Sequence, residues 1–203
     1  MRLLLGIGFV AVCAVCQADH LIHIPLGKKV PRKVIRVSAG LAQGDLHDMH
    51  GMVDVGLTTE LDATLRTDDV KGSIGRATLD FAYNYISPIV DTSPGFSVGV
   101  WDAVNRTVDG RRLYVATTYR VGLSGEAGTF TPAEVTLGIT VGKKNSGIVG
   151  AMLPISSSFR LMVEHDGYRG NAGIDMRPWS NFSVRYVFIG SLPEFAVQFQ
   201  KKL

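Results

Sequence analysis

Apolar side chains recur at every second position along most of this chain, a period that confines it to β-strands with a different environment on each face. In Glu134–Gly142, Val135, Leu137, Ile139 and Val141 alternate with Glu134, Thr136, Gly138, Thr140 and Gly142. In Thr78–Tyr85, Leu79, Phe81, Tyr83 and Tyr85 alternate with Asp80, Ala82 and Asn84. Successive strand side chains point to opposite faces, so Leu137 and Ile139 are expected on one face and Glu134, Thr136 and Thr140 on the other. Similar runs occupy Val53–Leu65, Gly95–Trp101, Arg111–Leu123, Phe159–Asp166, Asn171–Arg177, Asn181–Phe188 and Glu194–Leu203. They are separated by turn-forming pieces: Asp68-Asp69, Ser93-Pro94-Gly95, Asp109-Gly110, Lys143 to Gly147, Asp166-Gly167 and Ser180-Asn181. With 23 glycines in 203 residues, the composition suits strands and short turns.

Roughly ten consecutive strands joined by short turns predict an all-β, antiparallel up-and-down barrel. Three features point to a transmembrane barrel rather than a soluble sandwich, the third being an export signal at the N-terminus. Many runs reach the roughly 9 to 11 residues that cross a bilayer at a tilt. The face opposite the apolar one mixes small residues with charges of both signs, which suits a narrow crowded lumen. The lumen-facing candidates are Glu60, Asp62, Asp80, Asn84, Glu134, Glu164, Asp175, Arg177 and Arg185. Aromatic content is only 8%, with Trp101 and Trp179 the two tryptophans, so interfacial girdles are expected to be thin. Phe195, Val197 and Phe199 alternate with Ala196, Gln198 and Gln200 in the expected closing strand, and Leu203 falls on the apolar parity.

The N-terminus reads as an export signal. Met1-Arg2 is a short positive region, Leu3–Val15 an apolar one, and Cys16-Gln17-Ala18 a cleavage site. The apolar stretch is too short for a bilayer-spanning helix, which needs roughly 20 residues. Cys13 and Cys16 both lie within the expected signal peptide, which would leave the exported chain without a disulfide. The expected organisation is a signal peptide at 1–18, an N-terminal segment with a possible first strand at 19–49, and the barrel at 50–203. The 21 basic and 18 acidic residues are dispersed apart from a cluster at Lys28, Lys29, Arg32 and Lys33, and no basic stripe tracks a nucleic acid backbone.

The last third carries a denser pattern: Gly150-Ala151-Met152-Leu153-Pro154, then Phe159 to Gly167 ending Glu164-His165-Asp166-Gly167, then Asn171-Ala172-Gly173 to Pro178-Trp179, then Phe182-Ser183-Val184-Arg185-Tyr186. It resembles the outer-membrane barrels associated with exopolysaccharide production, the YjbH-like proteins, over about 60 residues, with His165 standing where that family has an aromatic. The resemblance implies an outer-membrane location, partners among outer-membrane lipid, the barrel assembly machinery and polysaccharide export components, and no cofactor. Family members are much longer, so this chain would be a compact barrel. Within the pattern, Glu164 and Arg177 are expected to pair inside the barrel across adjacent strands.

Catalytic and metal signals are sparse. Asp45, His47, Asp48 and His50 fall within six residues and could gather ligands round a divalent cation in a loop, though a solvated turn is the simpler reading and no metal site is assigned. Glu164 and His165 are strand neighbours that face opposite ways, Ser156 to Ser158 show no nucleophile elbow, and no glycine-rich loop leads into Lys-Ser or Lys-Thr, so no enzyme is expected. Gly99-Val100-Trp101 has the Gly-x-Trp form found in lipocalins but lies mid-chain. The functional expectation is an outer-membrane barrel with a structural or transport role; the alternative is a soluble exported barrel that binds an apolar ligand.

Overall fold

Every strand pairs with its sequence neighbour, and the last returns to the first. The computed structural model describes residues 21–27, 29–42, 49–67, 77–107, 109–122 and 132–203. The expected signal peptide, residues 1–18, lies outside them, as do Asp45, His47, Asp48 and the Asp68-Asp69 turn. Among the described residues there is no helix, and the strands are β1 (Val34–Ala42), β2 (Met49–Gly56), β3 (Leu61–Thr67), β4 (Ala77–Ile86), β5 (Gly95–Trp101), β6 (Arg112–Val121), β7 (Ala133–Val141), β8 (Ser146–Pro154), β9 (Phe159–His165), β10 (Gly170–Trp179), β11 (Phe182–Ile189) and β12 (Leu192–Lys202). All neighbours are antiparallel, and β1 closes against β12 in unbroken register from Val34 opposite Lys202 to Ala42 opposite Glu194.

The barrel thus has twelve strands and not about ten. The run Val53–Leu65 is two strands, β2 and β3, joined by Leu57-Thr58-Thr59-Glu60. That even-numbered turn keeps the alternation in phase across the reversal, and it holds no glycine or proline to mark it. Its hydrogen bonds run from the Leu57 and Thr58 amides to the Leu61 carbonyl, at 2.9 and 3.1 Å. β8 is blurred in the sequence by Gly147, Gly150 and Ala151, and β1 follows directly on a basic cluster. β1 lies inside the 19–49 stretch and forms part of the barrel wall.

The partition of side chains is inverted relative to a water-soluble protein. On the outer face Leu113, Leu137, Ile139, Val163, Phe195 and many others are about half exposed, whereas the inner face buries Arg36, Asp54, Thr118, Thr136, Arg160, Asp175 and further polar groups. In β7 the expected facing is found: Leu137 and Ile139 are exposed while Glu134, Thr136 and Thr140 are buried. Six exposed aromatic side chains line one rim. Call the end where β1 begins and β12 finishes the proximal end. There Tyr85, Phe96, Tyr119, Phe159, Trp179 and Phe199 all stand exposed on the outer face, close to the proximal ends of six different strands. Trp179 also packs on Phe182, ring centroids 5.7 Å apart.

Ahead of β1, residues 21–27 and 29–33 form a strap that runs through the barrel interior. Leu21, Ile24 and Leu26 pack against Ile148, Met152, Met162 and Val187, an apolar patch on the otherwise polar inner wall. Room for this strap comes from missing side chains: a Cβ at Gly150 would lie 2.6 Å from both Leu21 and Ile24. The strap exits at the proximal end, where Pro31 passes Gly56 and the chain turns into β1.

Candidate lumenal site

The inner face is built from the alternate residues of each strand, and many of its charges lie beside opposite ones, while Asp62 and Glu164 are held by amide groups. Asp175 on β10 is the hub of the densest group. Its Oδ2 accepts from Arg160 on β9, Nε at 3.0 Å, and from Arg177 Nε at 3.1 Å, while its Oδ1 accepts from Arg185 Nε on β11 at 3.2 Å. Register explains the grouping, since Asp175 lies opposite both Arg160 and Arg185. Arg36 pairs with Asp54 at 3.4 Å, and Asp54 also accepts the Thr64 hydroxyl at 2.6 Å. Arg66 approaches Asp80 at 3.6 Å, Arg120 approaches Glu134 at 3.0 Å, and His50 lies 3.1 Å from Glu194. Such pairs answer the cost of burying charge.

Of the lumen-facing candidates, Asp62, Asp80, Asn84, Glu134, Glu164, Asp175 and Arg185 are buried on the inner face. Arg177 is on the same face toward the proximal end and half-buried. Glu60 is in the β2–β3 turn, where its carboxylate accepts from the Thr58 hydroxyl at 3.4 Å and from Thr59. The expected Glu164–Arg177 pair does not form. Asn171 is the residue opposite Glu164 and donates to it at 2.8 Å, and Arg177 turns to Asp175 on its own strand. His165 faces away from Glu164 and accepts from the Gly167 amide at 3.1 Å.

Glu164 also holds the strap. Its carboxylate accepts from the His23 amide at 2.8 and 3.0 Å and from the Ile24 amide at 3.3 Å. Nearer the proximal end the Gly27 amide donates to Thr118 Oγ1 at 2.7 Å, Ser97 Oγ donates to the Leu26 carbonyl at 3.0 Å, and the Val30 amide donates to Asp62 at 2.8 Å. These bonds satisfy strap backbone groups that are cut off from water.

Beside the strap is a cavity of about 870 Å³, bounded by Arg36, Asp62, Arg66, Asp80, Tyr114, Arg185, Glu194 and Gln198 and by the strap residues Ile22 to Leu26. Its distal rim is aromatic and charged. The Arg112 guanidinium sits between two rings, 4.7 Å from the Trp101 centroid and 5.3 Å from that of Tyr168, which is cation–π geometry. Trp101 in turn tilts against Tyr114, centroids 5.2 Å apart. Tyr114 covers Gly99, where a side chain would collide with its ring.

The β5–β6 connection beside this rim is fixed by Asp102, whose carboxylate accepts from the Arg106 amide at 2.8 Å and from the Thr107 amide and hydroxyl at 2.6 Å each. Burial pushes the Asp102 carboxyl up, but the Thr107 hydroxyl and the two amides outweigh it and hold it below the ordinary carboxylate value. Asp166, in the β9–β10 turn, is likewise pushed up by burial and held low by the Arg169 and Tyr168 amides and Asn171.

Among the described residues no group of three or more His, Cys, Asp or Glu side chains gathers to hold a metal ion. Of the four residues considered for one, only His50 is described; it lies on β2 and not in a loop, and it is engaged by Glu194. Sequence reasoning did not pick out Arg36, Asp54, Arg160, Glu194 or the strap itself. The inward parity of Gly56, Gly95 and Gly150, all beside the strap, was the available signal for a second chain segment in the lumen. No protein-family model matches the chain, and no curated protein is significantly similar to it.

Proposed function

We propose that this protein is a lipid-embedded β-barrel of the bacterial outer membrane, exported by a signal at residues 1–18, with a structural or solute-transport role seated in its lumen. The observation that carries the proposal is the inverted partition, with Leu137, Ile139 and their neighbours outward and Arg36, Asp54, Arg160 and Asp175 inward. In water that outer wall would be an apolar patch encircling the molecule, far larger than monomeric soluble proteins expose. In lipid it is the favoured arrangement, and barrel closure leaves no sheet edge unpaired. The proximal belt of Tyr85, Phe96, Tyr119, Phe159, Trp179 and Phe199 supports an interface at that rim. A soluble barrel that binds an apolar ligand calls for the reverse partition, with the apolar faces inside. A role beside exopolysaccharide export rests on the resemblance of the last third to the YjbH-like barrels.

Fractionation of expressing cells tests the reading. The protein is expected in the outer-membrane pellet, retained through a high-salt and urea wash and released by detergent. Recovery in the periplasmic wash without detergent overturns it.

A further inference from the structure

The strap occupies one side of the lumen and is held there by contacts separate from those that join the strands of the wall. Its backbone amides at His23, Ile24, Gly27 and Val30 are taken up by Glu164, Thr118 and Asp62, side chains contributed by three different strands. Its apolar side chains cover the apolar patch formed by Ile148, Met152, Met162 and Val187, which would otherwise face a polar lumen. Removing the strap costs the wall none of its cross-strand bonds, since every strand pairs with two others independently of it. A twelve-stranded barrel is wider than the eight-stranded kind that side chains alone can fill, and here the strap takes up the difference on one side of the 870 Å³ cavity.

We propose that the strap is a lumenal plug, and that its displacement opens the barrel to small polar solutes with little preference for either sign of charge. The solute class follows from the wall left behind, where Arg36, Arg66 and Arg185 alternate with Asp62, Asp80 and Glu194 and no ring of one sign is formed. The inference rests on the membrane-barrel reading.

Gly27 offers a variant that acts on the plug without changing any residue of the wall. A Cβ there would lie 2.6 Å from the Gly95 carbonyl oxygen and 2.8 Å from the Thr118 amide nitrogen, both backbone atoms that cannot move aside cheaply. Gly27→Leu should therefore expel this part of the strap, and Ile24→Asp should loosen it independently by placing a charge in the apolar patch. The full chain and both variants are refolded, checked for heat-modifiable migration, and measured in planar bilayers. The full chain is expected to insert and stay mostly closed, and both variants to show a several-fold higher open probability, with a reversal potential near zero in a potassium chloride gradient. Equal conductance in all three proteins, or folded and inserted variants that remain closed, overturns the plug. A strongly cation- or anion-selective current overturns the solute class. Failure of every form to insert into lipid removes the membrane reading, and the inference with it.

Discussion

In the lumen a single carboxylate, that of Asp175, meets three guanidinium groups. It is fully buried, and the side chains of Arg160, Arg185 and Arg177 are 3%, 9% and 17% exposed. Asp175→Asn keeps the shape and one acceptor but removes the charge, leaving the arginines mutually repulsive in a poorly hydrated space. Breaking one buried pair by removing a partner costs roughly 3 to 5 kcal/mol. The partial exposure of Arg177 relieves some of this, so the expected loss is about 3 kcal/mol, the low end of that range. The assay is urea-induced unfolding in lipid vesicles at neutral pH, with the slope of the transition checked for constancy. A second variant locates the cause. Adding Arg160→Met removes one of the two arginines opposite Asp175 and should recover about 1 kcal/mol or more, a coupling of the size seen for residues in contact. A loss below about 1 kcal/mol for Asp175→Asn, on the scale of a surface pair, would refute the hub.

Further outcomes follow from the same geometry. Leu137→Arg places a charge on the outer face at the centre of β7, where Leu137 is 52% exposed, and should cost about 2 to 4 kcal/mol in vesicles; an effect near zero would mean that this face meets water. Because the folded Asp102 carboxyl lies below its ordinary 3.8, its contribution is fully present above about pH 4 and is lost as pH falls through the lower folded value. The Arg106 and Thr107 amide resonances should therefore titrate only below that pH, and a midpoint at or above it would contradict the clamp. Deleting Phe195 to Leu203 removes most of β12 and exposes the edge of β1, so heat-modifiable migration should vanish; its persistence would show closure by another route.

The barrel was legible in the sequence because alternation is a property of single strands and needs no knowledge of partners. Strand number was less so. A turn of even length such as Leu57 to Glu60 preserves the phase of the alternation, and a glycine-rich strand such as β8 carries few apolar markers. Inward parity could be read residue by residue, but pairing could not. Whether Glu164 meets Asn171 or Arg177 depends on register between strands, which a one-residue slip would change. The strap was hidden for a different reason. Its residues Leu21, Ile24 and Leu26 show neither strand nor helix periodicity, and their role is set by a patch formed from Ile148 and Met152 on β8, Met162 on β9 and Val187 on β11. The aromatic belt was likewise invisible to composition, because a small number of rings becomes a girdle only when six strands bring theirs to one rim.

The two tryptophans allow the central claim to be tested most directly, since they stand on opposite sides of the wall. Trp179 is 66% exposed on the outer face of the proximal rim, and Trp101 is 8% exposed inside the barrel. In vesicles containing brominated phospholipid, Trp101→Phe, which reports on Trp179 alone, should lose much of its fluorescence to contact quenching, while Trp179→Phe, which reports on Trp101, should be nearly unaffected. Fluorescence unchanged by brominated lipid in both variants would contradict a lipid-facing outer wall.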